Sequence, residues 1–280
     1  MHPVYVHIKK ELSPFYAEEE ASAMAKWISS DILHLSTLEL YTGKDMNFST
    51  KEWAELEDIL RRLKQREPLQ YILQEASFCG RSFHVEQGVL IPRPETEELV
   101  EWIVSDYREA GQVRILDIGT GSGCISVSLA QLLPEAQVSS CDVSAEALRI
   151  ATTNVKRYGD KVTLFCADIL KEELPECQVD VLVSNPPYIT ESERTDMEAN
   201  VLDWEPELAL FVPDSDPLRF YRRIARKGLD WLSEGGALYF EINRAYGAET
   251  VRILEELGYR QIELRKDLSG NDRMIKAIRP

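Results

Sequence analysis

Val113-Arg114-Ile115-Leu116-Asp117-Ile118-Gly119-Thr120-Gly121-Ser122-Gly123-Cys124-Ile125 is the stretch on which the fold turns. An apolar run of strand length meets a cluster of glycines, and the spacing of Ile125, Val127 and Leu129 then reads as a buried helix. Strand, tight turn and helix in this order open an α/β sheet and put a ligand loop at the strand's carboxyl end. Glycines let backbone approach a ligand, and the helix N-terminus beyond them offers unpaired N–H groups to an anion. A dinucleotide site prefers G-x-G-x-x-G, which would need glycine at Cys124; the glycine here is Gly123. That spacing favours a methionine carboxylate over a pyrophosphate and weakens an oxidoreductase reading.

Working outward, strand-like runs at Gln137 to Cys141, Val162 to Cys166 and Val179 to Ser184 alternate with helical stretches, the pattern of a parallel, doubly wound sheet. A helix near Pro217 to Leu232, a strand from Ala237 to Ile242, a helix from Tyr246 to Leu257 and two terminal strands follow. Upstream, Pro94 with Glu95, Glu97 and Glu98 opens a helix that buries Leu99, Trp102 and Ile103. Residues up to 73 read as a helical bundle. Ala21, Met24, Ala25, Ile28, Ile32 and Leu35 share one face behind a start at Ser13-Pro14, and Ser36-x-x-Glu39 marks a short helix. The capping box Ser49-x-x-Glu52 precedes a helix burying Trp53, Leu56, Leu60 and Leu63. Ser77-Phe78-Cys79 and Ser82-Phe83-His84-Val85, broken by Gly80-Arg81, read as a hairpin linker. The expected division is residues 1–73 helical, 74–92 linker and 93–280 the α/β domain.

A formal net charge of −16 opposes the phosphate attraction that nucleic-acid binders rely on, and the run from Arg222 to Lys227 reads as a solvated helix face. The five cysteines form no C-x-x-C pair and suit reduced thiols. His84 stands without a second histidine, so no metal site is expected. The amino terminus lacks a charged segment followed by an apolar run, and no stretch approaches the roughly 18 apolar residues of a membrane span. A soluble, cytoplasmic protein without membrane contacts is expected.

Asp142 ends the second strand, where a carboxylate can accept both ribose hydroxyls of an adenosine moiety. Asp168 follows the third strand, placed to accept from an adenine amino group with Ile169 beside the ring. The fourth strand runs into Asn185-Pro186-Pro187-Tyr188. A planar NH₂ group has a delocalised, weakly nucleophilic lone pair and must be held to react. Asn185 can accept one N–H through its side-chain oxygen and the Pro186 carbonyl the other. Pro186 and Pro187 stiffen the backbone, and Tyr188 is expected to stack on the acceptor. The tetrad alone leaves amide, adenine and guanine acceptors open.

Together these residues resemble class I S-adenosylmethionine-dependent methyltransferases. More narrowly, the chain resembles the HemK/PrmC family, protein-(glutamine) methyltransferases acting on peptide chain release factors. The likeness rests on Arg66-Glu67-Pro68-Leu69-Gln70-Tyr71-Ile72, on Leu90-Ile91-Pro92-Arg93-Pro94-Glu95-Thr96-Glu97, on the tetrad and on Lys266-Asp267-Leu268-Ser269-Gly270-Asn271-Asp272-Arg273. It implies a Rossmann-like, mostly parallel seven-stranded sheet whose last strand inserts antiparallel, behind a substrate-recognising helical domain. It also implies transfer to the glutamine amide of a Gly-Gly-Gln motif, in translation termination. Asn185, Pro186 and Tyr188 would be catalytic, with Pro187 also touching substrate. Asp117, Gly119, Thr120, Gly121, Ser122, Gly123, Asp142, Asp168, Ile169 and Asn185 would hold the cofactor. A monomer without direct nucleic-acid contact is expected. Ile169 departs from an aromatic found in some relatives, and the stretches 211–217 and 241–246 depart from the family pattern.

Overall fold

The computed structural model describes residues 1–43, 48–171 and 177–280. It separates into two units: Met1–Leu73 with Glu198–Trp204, and Gln74–Met197 with Glu205–Pro280. The first carries α1 (Pro3–Leu12), α2 (Glu18–Trp27, extended by a π-turn over Ile28–Ile32), α3 (Thr37–Thr42), α4 (Thr50–Lys64) and α5 (Leu69–Leu73). Ser36 and Ser49 each accept from a backbone N–H three residues on, while Glu39 and Glu52 accept from the serine N–H groups, so α3 and α4 begin at full capping boxes. Ile8, Leu12, Ile28, Leu56, Leu60 and Leu63 are sealed in this unit's core. Two expectations are corrected. Ser13 does not start a helix: its hydroxyl donates back to the Lys9 carbonyl at 2.7 Å and closes α1, while α2 starts behind Ala17. Trp53 is 39% exposed and meets Phe48 and His7 edge-on, because the buried face of α4 runs through Leu56, Ile59, Leu60 and Leu63.

The second unit opens with the hairpin β1 (Glu75–Phe78) and β2 (Arg81–His84). Phe78 faces Arg81 in register, leaving Cys79-Gly80 as the turn, one residue earlier than expected. Both turn residues have left-handed φ (+47° and +68°), as a two-residue hairpin turn that matches strand twist requires. There follow α6 (Pro94–Tyr107), β3 (Arg114–Ile118), α7 (Cys124–Leu132), β4 (Gln137–Asp142), α8 (Ala145–Arg157), β5 (Val162–Cys166), β6 (Val179–Ser184) and β7 (Ile189–Thr190). After α9 (Ala199–Trp204), which belongs to the first unit, come α10 (Glu207–Leu210), β8 (Phe211–Val212), α11 (Arg219–Trp231), β9 (Leu232–Glu241), α12 (Gly247–Glu256), β10 (Arg260–Lys266) and β11 (Asp272–Ile278).

The main sheet has seven strands in the order β10-β11-β9-β6-β3-β4-β5. β11 is antiparallel to both neighbours, and the remaining strands share one direction. Val181, Leu182 and Val183 are fully buried, as a central parallel strand covered on both faces demands, each contributing about 1.5–3 kcal/mol of burial. From β3 the chain moves outward through β4 and β5, then crosses back to β6 on the other side. That reversal opens a crevice at the carboxyl ends of β3, β4 and β6. Among the described residues no helix is long and apolar enough to cross a membrane.

Candidate active site

The glycine turn follows β3 and is pinned to β4, because the N–H groups of Gly119 and Thr120 both donate to the Cys141 carbonyl, at 2.9 and 3.0 Å. Gly119 and Gly121 carry φ of +80° and +53°, and a Cβ on either would meet nothing within 4 Å: both border a cavity of about 250 Å³. Gly123 differs. Its added Cβ would lie 3.4 Å from that of Ala151, so this glycine serves the packing of α7 on α8 and does not line the cavity. Asn154 of α8, fully buried, donates to the carbonyls of Ser122 and His84 and accepts from the His84 N–H, tying turn and hairpin together. His84 therefore acts through its backbone, and its ring meets Glu86 at 3.0 Å.

Asp142 lines the cavity with its carboxylate already oriented: one oxygen accepts from the Gly121 N–H and the other from the Ser144 N–H, both at 2.9 Å. Burial pushes this carboxyl above its ordinary range, and the backbone donors pull it back. Each oxygen keeps a lone pair for a further donor. Asp117 lies behind the turn instead. It is wholly buried, accepts from the Ser140 hydroxyl at 2.8 Å, and burial pushes it up to about 6. Asp117 and Gly123 do not line the cavity. Thr120 and Ser122 stay in the lining.

Asp168 and Ile169 also line the cavity. Asp168 accepts from the Leu170 N–H at 3.0 Å, so it both shapes its turn and faces the cavity. The Ile169 carbonyl accepts from Arg223 Nε at 2.8 Å, and Arg222 pairs with Asp216 at 2.9 Å. The basic run on α11 is therefore partly engaged in holding the wall. Val143, Ile169, Leu170, Phe220 and Ile224 give this end an apolar lining suited to a flat ring.

At the other end stand Asn185, Pro186 and Pro187. Asn185 Nδ2 donates to Thr96 Oγ1 at 3.2 Å, and the Thr96 hydroxyl donates to Glu241 Oε2 at 2.6 Å. Tyr188 does not line the cavity. Its hydroxyl donates to Glu241 Oε1 at 3.0 Å, with Arg273 Nη1 3.5 Å from the same phenolic oxygen. The partly buried ring packs against the core, and the hydroxyl is committed to a carboxylate. Burial pushes the Glu241 carboxyl up, against the pull of Thr96, Tyr188 and Arg273, and burial likewise raises the Tyr188 phenol. Arg273 is itself held by Asp267 at 3.1 Å.

The sequence reading gave no site role to Thr96, Glu241 or Glu205. Glu205, 5% exposed, binds the Arg93 guanidinium and accepts from the Ile91 N–H at 3.0 Å, which anchors the Leu90–Arg93 wall of the cavity. A signal existed for Glu241, a charge closing the apolar run Ala237-Leu238-Tyr239-Phe240. Thr96 lies in the Leu90–Glu97 segment that carries the family resemblance, but nothing local ties its hydroxyl to Asn185 or Glu241.

Residues 5–73 match the model of the PrmC N-terminal domain and residues 96–203 that of the methyltransferase small domain. The release factor glutamine methyltransferase of Bacteroides thetaiotaomicron is 50% identical over 280 residues, all of both chains. The chain belongs to the release factor glutamine methyltransferase family. The family protein of Flavobacterium psychrophilum is 42% identical over 268 residues, 95% of this chain and 94% of its own. A methyltransferase from Pyrococcus furiosus, 16% identical with a TM-score of 0.52 over 82% of this chain and 98% of its own, shares the class I fold. S-adenosylmethionine is the cofactor that the resemblance implies for this cavity. The residues present fit the group: an open floor at Gly119 and Gly121, free lone pairs on Asp142, and an apolar slot beside Ile169.

Proposed function

We propose that this chain transfers a methyl group from S-adenosylmethionine to the side-chain amide nitrogen of the glutamine in the Gly-Gly-Gln motif of peptide chain release factors. One observation carries the reading: the Gly119–Gly121 turn with Asp142 and the rim of Asn185, Pro186 and Pro187 line a single cavity. Donor and acceptor can meet there without either leaving its site.

Bound in this cavity, S-adenosylmethionine supplies a sulfonium methyl that is already electrophilic. The chain's part is to hold and orient. Asp142 would take the ribose hydroxyls on its free lone pairs, Thr120, Ser122 and the start of α7 would hold the methionine end, and Asp168 and Ile169 would border the adenine. Asn185 Oδ1 and the Pro186 carbonyl accept the two N–H bonds of the glutamine amide, and Pro187 stiffens the rim. Tyr188, Asp117 and Gly123 act from behind by fixing the groups that touch ligand.

The helical segment 1–73 grips the release factor, 74–92 links, and 93–280 carries catalysis. The protein works in the cytoplasm as a monomer, without direct nucleic-acid contact, in support of translation termination. The test is mass spectrometry of a release factor incubated with enzyme and cofactor, with nucleic acid in a parallel reaction. One added methyl on the Gly-Gly-Gln glutamine is expected; methyl appearing only in nucleic acid would sink the proposal.

A further inference from the structure

A side-chain amide has two nearly isosteric ends, and Asn185 works as an acceptor only with Oδ1 toward the substrate. Turned over, it would present Nδ2–H and repel the N–H of an incoming amide. The neighbour that selects between these states is Thr96. A hydroxyl owns one hydrogen, and that of Thr96 goes to Glu241 Oε2 at 2.6 Å. Thr96 Oγ1 is therefore left as an acceptor toward Asn185, and only Nδ2 can satisfy it, at 3.2 Å. Glu241 accepts at its second oxygen as well, from the Tyr188 hydroxyl at 3.0 Å, the pattern of an ionised carboxylate. Thr96 is 3% exposed and Glu241 1%, so bulk water does not compete for these bonds.

We propose that Thr96 is a positioning residue that locks Asn185 with Oδ1 facing the acceptor, and that this lock is what makes the site accept a glutamine amide and refuse a glutamate carboxylate. The inference rests on the reading of the site given above and adds its source of selectivity. A glutamine amide brings N–H donors to Oδ1; a carboxylate brings only lone pairs, and oxygen would face oxygen. A site committed to accepting hydrogen bonds rejects an analogue without donors far more strongly than shape alone can. The constellation joins residues 89 positions apart (Thr96 and Asn185) and 145 apart (Thr96 and Glu241), so it exists only in the folded chain.

The experiment compares full-length wild type, Thr96→Val, Thr96→Ser and Glu241→Gln. Turnover is measured on a release factor, cofactor affinity by calorimetry, and inhibition with a release factor whose Gly-Gly-Gln glutamine is replaced by glutamate. Thr96→Val keeps the shape and loses the hydroxyl; turnover should fall about 10–100-fold, with cofactor affinity within about threefold. The glutamate form should inhibit this variant at least about tenfold better, relative to substrate affinity, than it inhibits wild type. Thr96→Ser should restore turnover to within about threefold. Glu241→Gln, which lets residue 241 donate to Thr96 and frees the threonine hydrogen for Asn185, should reproduce the valine phenotype. Thr96→Val turning over like wild type, Thr96→Ser failing to rescue while still binding cofactor, or unchanged inhibition by the glutamate form would each overturn the lock. A wild type that never methylates the glutamine overturns the underlying function as well, which separates the two failures.

Discussion

The two ends of the cavity are built by opposite means. The cofactor end is mostly backbone from one short stretch: a glycine turn closed on Cys141, with one carboxylate, Asp142, held by two N–H groups. The acceptor end is a relay of side chains from four distant segments, Thr96, Asn185 to Tyr188, Glu241 and Arg273. A backbone cradle tolerates side-chain change and fails through affinity; a side-chain relay fails at any link and through turnover. Mutations at the two ends should therefore separate in kinetics.

The largest effect belongs to the acceptor end. Asn185→Ala removes the acceptor atom itself and should lower turnover about 10³-fold, with cofactor affinity changed by less than about tenfold. Steady-state rates with calorimetric cofactor titration check both halves, and unchanged turnover would refute the assigned role. At the other end Asp142→Ala should show the mirror image. Loss of hydrogen bonds to a charged acceptor weakens cofactor binding about 10–100-fold, while turnover at saturating cofactor stays within about threefold. If both variants lost affinity and turnover alike, the two ends would not be separate devices.

The same contrast decides what the sequence discloses. The glycine turn and Asp142 were legible because their signal lies within neighbouring strands and in residue types that few other positions need. The parallel sheet was legible from alternating runs, while the antiparallel insertion of β11 between β9 and β10 came only through family resemblance, since no local pattern states which strand pairs with which. The acceptor relay was half legible. Asn185 announced itself; its bond to Thr96, 89 positions earlier, did not, and neither did that of the Tyr188 hydroxyl, whose partner Glu241 lies 53 positions further on. The segment 198–204 grouping with residues 1–73 is likewise a long-range fact that no local pattern states.

A middle-sized effect tests Tyr188. A stacking ring predicts that Tyr188→Phe is mild, but the hydroxyl supplies one of the donors that hold Glu241. Tyr188→Phe should therefore lower turnover by about tenfold, and Tyr188→Ala at least as much, with cofactor affinity retained in both. A phenylalanine variant as fast as wild type beside a crippled alanine variant would restore the stacking role and cut Tyr188 out of the relay.

The smallest effect falls behind the cofactor turn, on stability. Asp117 is fully buried without a cation among its partners, and burial raises its carboxyl to about 6, above the ordinary range near 4. The sign follows from linkage. A folded-state value above the unfolded one means that the fold favours the protonated form. This contribution is fully present below about pH 4 and is lost as pH rises through about 6. At pH 8 the native protein holds the ion at a cost of about 1–3 kcal/mol, the free energy of the raised ionisation. Asp117→Asn keeps the shape and an oxygen for the Ser140 hydroxyl but carries no charge. Urea unfolding should find the variant more stable at pH 8, with the advantage shrinking through pH 6 and gone by pH 4. An advantage independent of pH would show that the charge is balanced where it lies, and that the backbone of the turn is stiff enough to need no help from the group beneath it.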